Sequence, residues 1–249
     1  MRIHVFQTAQ QMGADAAQLV AKCLNEAISA RGNARLVLST GASQFEMLDA
    51  LVRQQVAWGR VTMFHLDEYV GLSQMHPASF RRYLKDRFVE KVALRDAVFV
   101  DGEGDVEKNI ETLTLRLREA PIDVAAIGIG ENAHIAFNDP PADFDTRESY
   151  IVVNLDERCK QQQVREGWFP SVADVPRQAI SMTVQQMLLA ETIVSVVPHG
   201  VKAIAVQETL RNPVNNLVPA TILKTHPDWH LYLDAESAAG FLSLTDGTV

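Results

Sequence analysis

The chain has 249 residues, of which 47% are hydrophobic, and its 23 basic and 31 acidic residues give a formal net charge of −8. A chain of this length buries one substantial core, so we expect a single domain over residues 1–249. The acidic balance argues against a nucleic-acid partner, which requires a basic footprint. It does not exclude an anionic substrate, because a few local donors overcome a global field.

The cysteines and the N-terminus bear on the location of the protein. Cys23 and Cys159 are far apart and form no C-x-x-C motif, which favours free thiols in a reducing compartment. The first residues predict a strand rather than a signal peptide. No apolar run approaches the roughly 20 residues of a membrane span. We therefore expect a soluble, cytoplasmic protein with no membrane partner.

Hydrophobic periodicity predicts alternating strands and helices along the chain. The predicted strands are residues 2–7, 34–38, 61–66, 97–100, 124–127, 192–197 and 229–233. The predicted helices are residues 9–31, 45–53, 77–92, 106–118, 184–190, 201–210 and 219–224. Residues 142–178 are polar and irregular and predict a lid-like excursion. This alternation indicates a three-layer αβα fold, a mainly parallel, Rossmann-like sheet with helices on both faces.

Polar side chains gather in the loop after the strand at 124–127. Gly130 opens this loop, and Asn132, His134 and Asp139 follow it. Ligands of open α/β sheets bind beyond the carboxyl ends of parallel strands, so we take this loop as the predicted active site. A lone histidine is usually structural, but a nearby carboxylate orients the ring and raises its pKa, which prepares His134 for acid–base chemistry.

Two other interpretations of this loop are weaker. Residues 128–133 match the dinucleotide pattern G-x-G-x-x-A. The polar, Pro-containing run that follows does not continue as the crossover helix that this fingerprint requires. A metal at His134 is disfavoured because no H-x-x-x-H motif or Cys/His cluster accompanies it. We therefore expect neither a dinucleotide nor a metal in this loop.

A second strand end, after residues 34–38, carries small and hydroxylic residues. Ser39, Thr40, Gly41 and Ser43 connect this strand to a helix. Backbone N–H groups and hydroxyls can hold an anion at such a helix N-terminus. The alternative is an ordinary N-cap, which is favoured when this stretch is considered alone.

Acidic residues follow a third strand, at 61–66. Asp67 or Glu68 can act as a general base, because burial raises the pKa of a carboxyl. The alternative is an acidic surface turn, and the presence of another polar strand end in the same sheet favours the functional interpretation. Lys202, near the start of the helix at 201–210, is either a contact to an anionic group or a solvated surface residue.

Together these loops resemble the glucosamine-6-phosphate deaminase (isomerase) family, whose fold is shared with 6-phosphogluconolactonases. The matching motifs are STG at 39–41, FHLDEYVGL at 64–72, HP at 76–77, GIG at 128–130, HIAFN at 134–138, VP at 175–176, KA at 202–203 and HP at 226–227. They span nearly the whole chain. DEYVGL together with HIAFN is specific for the deaminase branch, whereas lactonases resemble GHTAS at the second motif.

The resemblance implies conversion of glucosamine 6-phosphate and water to fructose 6-phosphate and ammonia, without a cofactor. Asp67 would move a proton between C2 and C1 through an enediol-type intermediate. His134 would assist opening of the sugar ring, with Asn132 and Asp139 beside it. The predicted substrate-binding residues are Ser39, Thr40, Gly41, Ser43, Glu68, Gly130, Gln163 and Lys202.

Some positions depart from the family pattern. Asn132 and Asp139 stand where the family has Asp and Glu, and Gln163 falls by ungapped alignment at the position of a phosphate-binding Arg, with Arg158 and Arg165 nearby. Asparagine carries no charge to support an imidazolium, and loss of a bidentate arginine changes the phosphate geometry. We therefore expect a divergent branch with a changed sugar substrate or reduced activity. A 6-phosphogluconolactonase, another sugar-phosphate isomerase and a non-catalytic sugar-phosphate sensor are the alternatives, and a homo-oligomer is compatible with the sequence.

Overall fold

The computed structural model describes residues 1–241, and these form ten strands and seven α-helices. The strands are β1 (Arg2–Phe6), β2 (Ala34–Leu38), β3 (Val61–His65), β4 (Asp67–Tyr69), β5 (Asp96–Val98), β6 (Val124–Ala126), β7 (Tyr150–Asn154), β8 (Gln178–Met182), β9 (Thr192–Val197) and β10 (Trp229–Asp234). The helices are α1 (Ala9–Arg31), α2 (Phe45–Leu51), α3 (Phe80–Arg87), α4 (Val106–Arg118), α5 (Glu157–Arg165), α6 (Val184–Met187) and α7 (Ala203–Arg211).

Seven strands form one parallel sheet in the order β1-β10-β9-β6-β2-β3-β5. The predicted parallel sheet is therefore confirmed. Because every pair is parallel, the carboxyl ends of the strands meet at one edge. Strands β9, β6, β2 and β3 are consecutive neighbours, so the loops that follow them converge in space.

Helices cover both faces of this sheet, as β2 illustrates. All five residues of β2 are buried, and side chains alternate between the faces of a strand. Leu36 and Leu38 pack with α1, α2 and α3, whereas Val37 packs in a second core with α4, α6 and α7. The two cores explain why β2, β6 and β9 are buried along their whole length.

Local signals determine the ends of α1. The Thr8 hydroxyl accepts a hydrogen bond from the Gln11 N–H at 3.2 Å, which caps the helix start. Gly32 takes the left-handed conformation at φ 78° and closes the helix end, as glycine does at a C-cap. The predicted bounds of 9–31 are confirmed. By contrast, the helix predicted at 77–92 begins only after its N-cap, Ser79, and residues 219–225 form a 3-10 helix.

Residues 142–178 were predicted to be irregular, and the prediction is wrong for the parts of this region that form a strand and a helix. The region contains β7 and α5 and leads into β8. Strands β4, β8 and β7 form a small antiparallel sheet. A separate aromatic core supports this sheet, built from Tyr69, Phe80, Phe137 and Phe169. Across residues 1–241, none of the helices has the length and apolar character needed to cross a membrane.

Candidate active site

An open cleft lies at the carboxyl edge of the parallel sheet. The loops after β2, β3 and β6, the 3-10 turn before α7 and one side of α5 contribute to its walls. The predicted site residues that line it are Ser39, Thr40, Gly41, Ser43, Asp67, Gly130, His134, Gln163 and Lys202. The fold thus brings together five segments that are far apart in the sequence.

The loop after β2 is open toward the cleft. Gly41 has φ 100°, a conformation that favours glycine, and its carbonyl accepts a hydrogen bond from the Tyr83 hydroxyl at 2.8 Å. Neither Thr40 nor Ser43 caps the next helix, because α2 begins after Gln44 without a side-chain cap. The Ser39 hydroxyl is buried and has no hydrogen-bond partner within residues 1–241. This loop therefore has polar groups available for a ligand.

Lys202 brings a positive charge to the same cleft. It ends the 3-10 turn Gly200–Lys202 that follows β9, and only 5% of its surface is exposed. Burial lowers the pKa of its ammonium group, since a desolvated charge is disfavoured. A bound anion would offset that desolvation, so Lys202 is not the solvated surface lysine of the alternative interpretation.

Asp67 is a buried carboxyl group that lines the cleft. Burial, and then the neighbouring Glu68 carboxylate, raise its pKa from 3.8 to about 8. A carboxyl with a pKa near the operating pH is suited to general acid–base catalysis. The surface-turn alternative is wrong, because Asp67 and Glu68 are both buried.

Glu68, predicted to bind substrate, does not line the cleft. Successive side chains of a strand point to opposite faces, so Asp67 and Glu68 diverge within β4. The Glu68 carboxylate accepts hydrogen bonds from the Ser79 hydroxyl at 2.8 Å and the Arg81 N–H at 2.9 Å. It also forms a buried ion pair with the Arg81 guanidinium at 3.3 Å. Glu68 therefore anchors the start of α3 to β4.

His134 is held by two polar partners behind the cleft. Its Nδ1 lies 2.6 Å from the Asn132 Oδ1 and 3.1 Å from the Asp139 Oδ1. The Asn132 amide donates to the same Asp139 oxygen at 3.0 Å. Burial alone raises the pKa of Asp139, but the His134 and Asn132 contacts outweigh it and hold the pKa below its usual value. Asp139 thus supplies the negative charge that Asn132 lacks.

Gly130 determines where the His134 ring lies. A Cβ atom added at Gly130 would be only 2.2 Å from the ring Cε1 of His134, far inside van der Waals contact. The imidazole therefore packs directly on the glycine, and a side chain at this position would displace it.

Helix α5 contributes residues that the sequence reasoning missed. Gln162 and Glu166 line the cleft beside Gln163, and the spacing of 162 and 166 is that of one helix face. No sequence pattern indicated these two residues, because α5 is short and polar and has no apolar stripe. Arg165 instead forms an ion pair with Glu131, and Arg158 faces a neighbouring groove.

Residues 7–231 match the family model of glucosamine-6-phosphate isomerases and 6-phosphogluconolactonases, and the chain belongs to this family. A glucosamine-6-phosphate deaminase from Lactobacillus delbrueckii subsp. bulgaricus is 31% identical over 240 residues, which cover 96% of this chain and 99% of that protein. One from Listeria monocytogenes is 34% identical over 205 residues, covering 82% and 86%.

Solved structures share the fold. A monomeric glucosamine-6-phosphate deaminase superposes with a TM-score of 0.88 at 29% identity. The match covers 96% of this chain and 100% of the deaminase. A 6-phosphogluconolactonase from Neisseria gonorrhoeae, described as putative, has a TM-score of 0.74 at 18% identity and covers 94% and 99%. The predicted fold is confirmed. The protein is an enzyme of a family that includes both isomerases and lactonases.

Proposed function

We propose that this enzyme is an amino-sugar phosphate deaminase, converting glucosamine 6-phosphate or a close analogue and water to fructose 6-phosphate and ammonia. The main support is Asp67, a buried carboxyl in the cleft whose pKa is raised to about 8. Removing a proton from carbon requires such a base, whereas lactone hydrolysis does not.

In this proposal the proton transfers divide between two groups. His134, oriented by Asn132 and Asp139, moves the proton between the ring oxygen and O1 as the sugar ring opens. Asp67 takes the proton from C2 and returns it to C1 through an enediol-type intermediate that carries the amino group at C2. In the same conversion O1 gains a proton and the amino nitrogen gives one up, which leaves an imine at C2. The resulting imine at C2 then reacts with water and releases ammonia, so that Asp67 and His134 end in their starting states.

The phosphate group of the substrate would bind to the polar groups of Lys202 and the loop after β2. Lys202 supplies the charge, and the loop of Ser39, Thr40, Gly41 and Ser43 supplies hydroxyls and N–H groups. Anions are favoured by such convergent donors. On the α5 side the cleft presents Gln163 and Glu166 rather than an arginine, which supports a sugar substrate that differs from that of the relatives.

The experiment is incubation of the folded protein with glucosamine 6-phosphate and its C4 epimer, galactosamine 6-phosphate. We expect release of ammonia with equimolar ketose phosphate from at least one of them. Absence of turnover on a full panel of amino-sugar 6-phosphates, with thermal stabilisation by these ligands, would instead support a sugar-phosphate sensor.

A 6-phosphogluconolactonase is the second candidate, because such enzymes share the fold. Reaction in D₂O separates the two activities. A deaminase that uses Asp67 incorporates deuterium at C1 of the ketose product or at C2 of recovered substrate. Hydrolysis of 6-phosphogluconolactone without any carbon-bound deuterium would favour the lactonase.

A further inference from the structure

Three side chains with different donor atoms meet behind the cleft. His134, Asp139 and Cys159 each offer one nitrogen, oxygen or sulfur atom, and these atoms lie within 4.8 Å of one another. Cys159 comes from α5 and the other two from the loop after β6. Cys159 lies 25 positions after His134 in the sequence. This separation matches no short metal-binding motif.

The spacing is close to that of a tetrahedral zinc site. The His134 Nδ1 and Asp139 Oδ1 are 3.1 Å apart, and nitrogen and oxygen ligands of tetrahedral zinc are separated by about 3.4 Å. A thiolate ligand would lie about 3.6 Å from each. The thiol therefore needs to move by little more than about 1 Å to complete the set.

The second oxygen of the Asp139 carboxylate, Oδ2, has no hydrogen-bond partner among the described residues. The Asp139 side chain is only 9% exposed, and this oxygen is buried. Buried acceptors in native structures are normally satisfied by protein, water or an ion. Cys159 is itself 1% exposed, so two potential ligands are already desolvated.

We propose that His134, Asp139 and Cys159 form a binding site for a borderline-soft divalent cation of the zinc class. Binding releases the Cys159 thiol proton to solvent. The His134 ring binds through Nδ1 as the neutral tautomer with its proton on Nε2, so Nδ1 gives up its hydrogen bond to the Asn132 Oδ1. Water is the fourth ligand. While His134 is bound to the cation it cannot transfer protons to or from the sugar, so zinc inhibits the enzyme. This inhibition rests on the proposed function, whereas the binding does not.

A second cluster in the described chain provides a contrast. His199, Asp234 and Glu236 are also within 4.8 Å of one another, but they include no sulfur. The Asp234 and Glu236 carboxylates accept backbone N–H groups at 2.9 and 3.2 Å, and the His199 side chain is about half exposed. These carboxylates hold the turn after β9, and His199→Ala serves as a control for adventitious binding.

The test uses metal-stripped full-length protein titrated with Co²⁺ and Zn²⁺. We expect one equivalent of Co²⁺ to give a thiolate-to-cobalt charge-transfer band, and Zn²⁺ to displace it. Cys159→Ser should abolish the band and weaken Zn²⁺ binding by at least about tenfold. Cys23→Ser and His199→Ala should retain both, because neither residue belongs to the proposed site.

Absence of the thiolate band in the wild-type protein would overturn the proposal, whether or not Cys159→Ser folds. Equal Zn²⁺ affinity of the wild type and a folded Cys159→Ser variant would overturn it as well. These readouts do not require turnover, so failure of the deaminase assay is distinguishable from failure of the metal site. If the enzyme is active, half-inhibition of Cys159→Ser should require at least about tenfold more Zn²⁺ than that of the wild type.

Discussion

At the scale of single residues, Asp67 is the group on which the proposed chemistry depends. Its carboxyl is buried beside Glu68 and lines the cleft. Asp67→Asn keeps the shape and removes the base, so we expect turnover to fall by at least about 10²–10⁴-fold. Ammonia release measures the effect, and circular dichroism verifies the fold. Asp86→Asn, an exposed carboxyl of α3, is the control, and unchanged activity of Asp67→Asn would refute the assignment.

The raised pKa of Asp67 also predicts a pH dependence. Because the base must be ionised, kcat/KM of the free enzyme should rise with pH and level off above about 8. The folded state holds this proton more tightly than the unfolded state, so the contribution of Asp67 to stability is full below about pH 4 and is lost as pH rises through about 8. The melting temperature of the wild type minus that of Asp67→Asn should therefore decline as the pH rises from about 4 to about 8. A difference in melting temperature that does not change with pH would contradict the raised pKa of Asp67.

Gly130 tests the placement of His134. A Cβ at this position would meet the imidazole at 2.2 Å, and displacement of a catalytic group by about 1 Å can cost about 10²-fold in rate. We expect Gly130→Ala to lower kcat by this order while the protein remains folded. Gly59→Ala is the matched control, since its nearest neighbour is 3.8 Å away. Equal kcat values for the two variants would show that the ring is not constrained by the glycine.

At the scale of elements, the join between β4 and α3 positions the base. Glu68 accepts hydrogen bonds from the first turn of α3 and pairs with the buried Arg81. Because Asp67 precedes Glu68 in the same strand, this anchor also holds the Asp67 carboxyl in register.

Glu68→Ala removes the buried one of three carboxylate partners of Arg81. It also leaves the Ser79 hydroxyl and the Phe80 and Arg81 N–H groups without their buried acceptor, and breaking a buried network of this kind costs about 3–5 kcal/mol. Urea denaturation measures the loss. Asp101→Asn removes a half-exposed partner of the same arginine and should cost no more than about 1 kcal/mol. Similar losses for the two variants would contradict the role of Glu68 as the anchor.

At the scale of the whole molecule, the parallel sheet assembles the cleft. The four neighbouring strands β9, β6, β2 and β3 deliver polar loops to one edge. The predictions for α1, β2, α4 and β9 were confirmed with their bounds, because long amphipathic periods and apolar runs are strong local signals. The small sheet of β4, β7 and β8 was missed. Its strands are short, and β4 pairs with a segment more than 100 positions away, so no local pattern indicates it.

The sequence by itself determined the alternation of strands and helices, the family resemblance and the polar motifs at the strand ends, since these depend on local order along the chain. Only the tertiary structure decided what each polar residue contacts. The pleat of β4 turns Glu68 away from Asp67, and Asp139 supplies the charge that Asn132 lacks. Packing of α5 brings Cys159 beside His134. This last contact joins segments that are distant along the chain, so spacing in the sequence carries no information about it.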